Sequence, residues 1–304
     1  AVPAGADAVV MIEHTRPSKS RVVIERSVEP GQNVVPRGSE AKAGQALLAP
    51  GTRLGYAELA LAAQVGHYRL SVFRRPTVAI LSTGDEVVGV EDIPGPFQIR
   101  NSNGVTLAAL AGLAGAEPVQ LGNAPDRVEE LRARFERGLE SDILVLSGGV
   151  SMGKYDLVEV VLRGLGAQFF FEGVAIRPGR PAVFGACRGK FVFGLPGNPV
   201  STMVTFELFV LPAVDLLSGT EPRPLSVFPA RLATPVRQTA ALTHFLPARV
   251  EWSGGQPMVR ELPWQGSGDI VALAQANCFL VVPEGKLEFA AGDWVDIFPR
   301  RGMF

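Results

Sequence analysis

Four stretches of the chain combine residue types suited to holding a charged guest. Ser82-Thr-Gly-Asp-Glu86 puts two carboxylates at the end of an apolar run. Ser147-Gly-Gly-Val-Ser-Met-Gly-Lys-Tyr-Asp156 is glycine-rich, so its backbone N–H groups can approach an anion, and the helix predicted after it adds partial positive charge. Its Gly-Lys pair is followed by Tyr155, which excludes a Walker-type phosphate loop. Arg177-Pro-Gly-Arg180 carries two permanent cations on a short turn, and a guanidinium fork can hold two oxygens of a phosphate or another tetrahedral oxyanion. Gly194-Leu-Pro-Gly-Asn-Pro-Val-Ser201 brackets Gly-Asn between prolines, a rigid floor for a flat ligand. Asp126, at the start of a helical stretch, feeds the same edge. The chemistry these parts share is an anion beside a metal: carboxylates can hold Mg²⁺ while amides and arginines hold oxyanion oxygens.

Each stretch also has a plainer reading. Ser82–Glu86 reads equally well as a solvated turn. Asp156 with Glu159, and Asp126 with Glu129, have the spacing of a helix cap. The Arg177–Arg180 stretch reads as a surface loop, and Gly194–Ser201 as an ordinary Pro-Gly turn. Covalent catalysis has less support. Ser147 and Ser151 lack the Gly-x-Ser-x-Gly elbow, and His14, His67 and His244 fit no metal-ligand spacing. No Gly-x-Gly-x-x-Gly follows a strand, which argues against a dinucleotide enzyme.

The elements that must position these residues follow from the hydrophobic pattern. Thr77–Ser82, Asp142–Ser147 and Phe191–Gly194 are apolar runs of the kind buried on both faces of a parallel sheet. Helices are predicted over 104–113, over a face marked by Val128, Leu131, Phe135 and Leu139, over 157–165, and from Val200 onward. This alternation predicts an α/β fold, an open and mostly parallel sheet over 76–221, with ligands at the strands' carboxyl ends. Residues 1–40 carry short β-like runs (Ala8–Ile12, Arg21–Ile24, Val34-Val35) and read as the remnant of a small β domain; 41–75 read as a helical and linker segment, with a helix over 54–65 stopped by Gly66. Residues 222–304 alternate over short strands with turn signals at Ser253-Gly-Gly255, Glu284-Gly285 and Ala291-Gly-Asp293, a small β-barrel or sandwich.

Composition bounds the partners. The 304 residues include 29 Lys+Arg against 30 Asp+Glu, a net charge of −1, and no basic run, which excludes an electrostatic footprint for nucleic acid. The longest apolar segment, Val200–Leu217, contains Glu207, Pro212 and Asp215, so it reads as a buried helix and no membrane partner is expected. Asp7 interrupts any early apolar stretch, so no signal peptide is expected there and the cytoplasm is the expected compartment. Cys187 and Cys278 are too few for a disulfide framework and read as small buried hydrophobes.

Taken in order, Thr77–Glu86, Ser147–Asp156, Arg177-Pro-Gly-Arg-Pro181 and Gly194–Ser201 resemble the MoeA-type molybdopterin molybdenumtransferases, relatives of the gephyrin E domain. Val2–Val10, Gly31–Gly38, Gln265-Gly-Ser-Gly268 and Ala276–Pro283 extend the resemblance to nearly the whole chain. It implies a MogA-like molybdopterin-binding domain between an N-terminal β/helical portion and a C-terminal small barrel. It implies an enzyme that inserts molybdenum, supplied as molybdate, into adenylylated molybdopterin and releases AMP with Mg²⁺ assistance, acting as a homodimer and possibly with a pterin-adenylyltransferase partner. By similarity, Glu86, Asp126 and Asp156 are the active-site acids, with Glu86 and Asp156 as metal ligands. Ser147, Gly148, Gly149, Ser151, Arg177, Arg180, Pro196, Gly197, Asn198, Pro199 and Ser267 are the substrate-binding set. The chain departs from the pattern in places. The family's Asp-Asn-Ser-Ala-Met-Asp-Gly-Tyr stretch is not found, so the chain resembles a member lacking the N-terminal segment. Lys-Pro-Gly-Lys-Pro reads Arg-Pro-Gly-Arg-Pro, and the barrel's Arg-x-Glu-Phe reads Leu242-Thr-His-Phe245. These departures keep a second reading open: a non-catalytic molybdopterin-binding or scaffold protein of the gephyrin kind. The sequence does not separate molybdate from the nearly isosteric tungstate.

Overall fold

The computed structural model describes residues 2–149, 157–238, 242–286 and 288–302. They fall into two compact units, 1–62 and 63–304. In the first, a 3₁₀ turn (Ile12–His14) leads into an antiparallel hairpin of β1 (Thr15–Ser18) and β2 (Arg21–Ile24), with Thr15 opposite Ile24. The runs Ala8–Ile12 and Val34-Val35 pair with no strand. All four β2 side chains are exposed, as expected of a ribbon with no second layer to cover it. Helix α1 (Tyr56–Gln64) is followed by Gly66 at φ +85°.

The second unit opens with β3 (Thr77–Thr83), the short strands β4 (Val87–Val88) and β5 (Ile99–Arg100), α2 (Ser102–Ala114), β6 (Glu117–Ala124), α3 (Val128–Gly138) and β7 (Ile143–Ser147). It continues with α4 (Leu157–Gly164), β8 (Gln168–Glu172), β9 (Ile176–Arg177), β10 (Val183–Cys187) and β11 (Lys190–Leu195). Then come α5 (Pro199–Thr205), a π turn (Phe206–Val210) and α6 (Leu211–Leu217). One sheet has the order β6-β3-β7-β11-β10-β8, parallel across its first four strands and antiparallel across the last two. β7 is buried along its whole length because both of its faces are covered. On one side Leu144 and Leu146 meet Leu131, Phe135, Val158 and Leu162; on the other Val78, Ile80 and Val145 meet Leu107, Phe206, Val210 and Val214. Burying each large side chain contributes roughly 1.5–3 kcal/mol.

The span Pro199–Leu217 is long and apolar enough to cross a bilayer, but 67% of it is buried inside the fold. It is a core helix. Pro212 lacks the N–H that would bond four residues back, and the π turn just before it takes up the mismatch.

The C-terminal part contains β12 (Phe228–Leu232), β13 (Val236–Arg237), β14 (Thr243–Ser253), β15 (Gln256–Glu261), α7 (Ile270–Gln275), β16 (Cys278–Val282), β17 (Glu288–Phe289) and β18 (Trp294–Pro299). The order β15-β12-β18-β16-β14 closes through the β14–β15 hairpin into a five-stranded barrel. Gly254 and Gly255, both at positive φ, make its two-residue turn. β9 adds itself to the outside of β14, pairing Ile176 with Thr243 and Arg177 with His244.

Candidate active site

The parallel register brings four strand ends side by side. Thr83 lies opposite Ala124, Ser82 opposite Ser147, and Ser147 opposite Leu195. The loops that follow therefore form one rim, with Asp126 after β6, Gly84–Glu86 after β3, Gly148-Gly149 after β7 and Pro196–Asn198 after β11.

The β6/β3 half is acidic. Asp85 accepts the Asp126 backbone N–H at 3.2 Å, and the Glu86 carboxylate folds back over Gly84. Both Glu86 and Asp126 are exposed. Asp126 is not the cap of α3: that position is Arg127, which makes no side-chain cap. Asp156 and Ser151 lie outside the described residues.

The β7/β11 half is made of backbone. Gly149 sits at φ +63°, and a Cβ there would lie 2.5 Å from Val158 Cγ2 and 2.6 Å from Thr83 Oγ1. Only glycine fits between that strand end and α4. Gly197 stacks against Gly148, its Cβ position 3.5 Å from the Gly148 Cα.

A cleft of about 1010 Å³ opens between this half and the barrel, lined by Arg177, Arg180, Pro196, Asn198, His244 and Ser267 among others. Pro178 and Gly179 are buried while Arg177 and Arg180 are exposed, so the turn is anchored by its backbone and presents its cations. Among the described residues neither guanidinium has a carboxylate partner. Ser267 reaches across from the barrel: its Oγ accepts the Asn198 Nδ2–H at 2.7 Å, and its carbonyl accepts the Val200 N–H at 3.0 Å. The structure thus gathers Arg177, Arg180, Pro196, Asn198 and Ser267 in the cleft and Ser147, Gly148, Gly149 and Gly197 at the neighbouring rim. Pro199 opens α5 behind them, and Glu86 and Asp126 are further along the row.

Two residues that the sequence reading passed over hold this rim. Asn101 caps α2 by accepting the Gly104 N–H at 2.8 Å; its oxygen also accepts from Ser82 Oγ at 2.8 Å, and its amide donates to Asn123 Oδ1 at 2.5 Å. Asn103 Nδ2 donates to Ser147 Oγ at 2.8 Å and to the Gly197 carbonyl at 2.7 Å. The signal for Asn101 was present, since an Asn before an apolar helix is a capping pattern. Nothing local marks Asn103.

Among the described residues no group of three His, Cys, Asp or Glu side chains could hold a metal ion. Mg²⁺ is commonly held by one or two carboxylates together with substrate phosphates; of the two acids expected to hold it, Glu86 is exposed at the rim and Asp156 lies outside the described residues.

An open α/β sheet with a backbone-lined rim faces a closed barrel across a cationic cleft, an arrangement suited to an anionic ligand. Family models name the class: a probable molybdopterin-binding domain matches residues 79–215, the MoeA N-terminal region (domains I and II) residues 1–66, and the MoeA C-terminal region (domain IV) residues 229–299. The chain is 35% identical to a molybdopterin molybdenumtransferase of Staphylococcus epidermidis and 33% identical to one of Staphylococcus aureus, in each case over 97% of this chain and 71% of the relative. A crystal structure of a molybdopterin biosynthesis MoeA protein from Pyrococcus horikoshii superposes with a TM-score of 0.79 at 32% identity, over 98% of this chain and 73% of that one. The chain belongs to the MoeA-type molybdopterin molybdenumtransferases, enzymes of molybdenum cofactor biosynthesis.

Proposed function

We propose that the chain inserts molybdenum from molybdate into adenylylated molybdopterin and releases AMP. The observation that carries this reading is the cleft that Arg177 and Arg180, without a carboxylate partner among the described residues, line with Pro196, Asn198 and Ser267. Two guanidinium forks suit a tetrahedral dianion, and molybdate is the anion we assign to them. The phosphoanhydride side of the substrate is assigned to Ser147, Gly148, Gly149 and Ser151, and the flat pterin to the floor of Pro196, Gly197 and Pro199. Cleaving a phosphoanhydride calls for charge stabilisation more than for a covalent nucleophile, and glycine amides at a strand end supply donors for it. Glu86, Asp126 and Asp156 complete the set as its acids. Glu86 and Asp156 would hold Mg²⁺ together with the substrate's phosphate oxygens, and the ion would supply further positive charge to the phosphoanhydride. A homodimer, a pterin-adenylyltransferase partner and a cytoplasmic location belong to the same proposal; the two cysteines, buried and not joined in a disulfide, suit a reducing compartment.

The test is AMP release from adenylylated molybdopterin, measured with and without molybdate. Release that requires molybdate, and that falls about a hundredfold in an Arg177→Ala, Arg180→Ala double variant, is expected from the loss of two charge-assisted contacts. Pterin binding with no AMP release at any molybdate concentration would instead favour the scaffold reading.

A further inference from the structure

We propose that Asn103 is a positioning residue that holds the two halves of the substrate-binding rim, the β7 exit and the β11 exit, in one geometry. The Gly197 carbonyl can only accept, which fixes the orientation of the Asn103 amide, and the same nitrogen reaches Ser147 Oγ. One NH₂ group therefore spends both protons on two different strand ends. Its oxygen is buried with no hydrogen-bond partner among the described residues. Leaving a buried acceptor unpaired is costly, and such local conflict is kept where the geometry it imposes matters. Asn103 is placed by the cap of its own helix. Asn101, two residues earlier, ties the β3 exit to the β6 exit through Ser82 and Asn123. The head of α2 thus braces all four strand ends: Asn101 the acidic half, Asn103 the backbone half. The acidic loop is independent of Asn103, since Gly84 bonds to Ala124 and Asp126 to Asp85.

This inference rests on the function proposed above, so its test has one arm that needs no substrate. Asn103→Asp keeps the shape of the side chain and removes both donors. Amide hydrogen exchange of the full-length protein is compared with the wild type over 147–149, 196–198 and 84–87. The expected result is faster exchange in the first two segments and no change in the third. In the second arm, the KM for adenylylated molybdopterin rises about tenfold while kcat stays within about threefold, the size of one or two lost neutral hydrogen bonds. Exchange unchanged at 147–149 and 196–198, or raised equally across the whole rim, overturns the proposal. So does an unchanged KM in a variant whose exchange has risen at both segments. A wild-type enzyme that releases no AMP overturns the proposed function and leaves the exchange arm to decide on Asn103.

Discussion

Gly179 ties the chemistry of the cleft to a single missing methyl group. It sits at φ +117°, and a Cβ would fall 2.7 Å from Thr205 Cγ2 and 3.0 Å from Ile176 Cδ1. The Arg177–Arg180 turn can press against α5, and so aim both guanidiniums into the cleft, only because no Cβ is there. Gly179→Ala is expected to destabilise the protein by about 1–3 kcal/mol through overpacking and backbone strain. It should also weaken the response of AMP release to molybdate, because the turn must lift away from α5. Thermal unfolding and a molybdate titration measure the two effects separately, and an unchanged titration in a destabilised variant would show that the turn does not aim the cations. At this scale the sequence was informative where the residue type declares its chemistry. Arg177, Arg180 and the glycines could be singled out because permanent cations and Cβ-free backbone suit an anion, although the same stretches also read as a surface loop and a turn. Asn103 could not, because an amide in the first turn of a helix looks like solvent-facing polarity until the fold brings Ser147 and Gly197 to it from 44 and 94 residues away.

The elements show a similar division. β3, β7 and β11 announce themselves as unbroken apolar runs because helices cover both of their faces. β6 stayed hidden because Pro118 and Gly122 interrupt it at the sheet's edge, and β9 because two residues have no periodicity. What starts the sheet is an ionic clasp. Asp142, just before β7, receives Arg74 Nη1–H at 2.5 Å, Nη2–H at 2.6 Å and the Thr77 N–H at 2.9 Å. The Arg74 hydrogen bonds, with those from the Thr77 backbone and hydroxyl, hold the Asp142 carboxyl well below the usual carboxylate range, against the opposing effect of its burial. A lowered folded-state pKa means that the stabilisation is fully present above the unfolded value of about 4 and is lost progressively as the pH falls below it. Asp142→Asn should therefore cost about 1–3 kcal/mol at pH 7, the range for breaking a charge-assisted contact at a part-buried group. The gap from wild type should narrow at pH 3. Urea denaturation at both pH values checks this, and a gap that stays constant would assign the loss to packing instead of charge.

At the scale of the second unit, the sheet domain and the barrel are joined by more than the chain that links them. Val200 and Val204 of α5 share a buried cluster with Phe245, Leu273, Phe279 and Phe298 of the barrel. Glu207 in the π turn is paired with Arg301 beyond β18 at 3.0 Å, and β9 is a strand of the barrel's outer edge contributed by the sheet domain. The sequence reads as separate sheet and barrel domains through its change of texture after Glu221. It does not show the shared core, since each of these side chains reads as ordinary filling of its own element. The consequence is that residues 63–304 should unfold as one cooperative body. The chain's three tryptophans, Trp252, Trp264 and Trp294, all lie in the barrel part, whereas most helical residues lie in the sheet domain. Tryptophan fluorescence and helical circular dichroism thus report on different parts, and their denaturation midpoints should coincide. Phe298→Ala, which opens a cavity in the shared cluster, should cost about 3–5 kcal/mol and move both midpoints together. If the fluorescence transition moved alone, the barrel would be an independent body, and the cleft would owe its shape to the covalent linker instead of a common core.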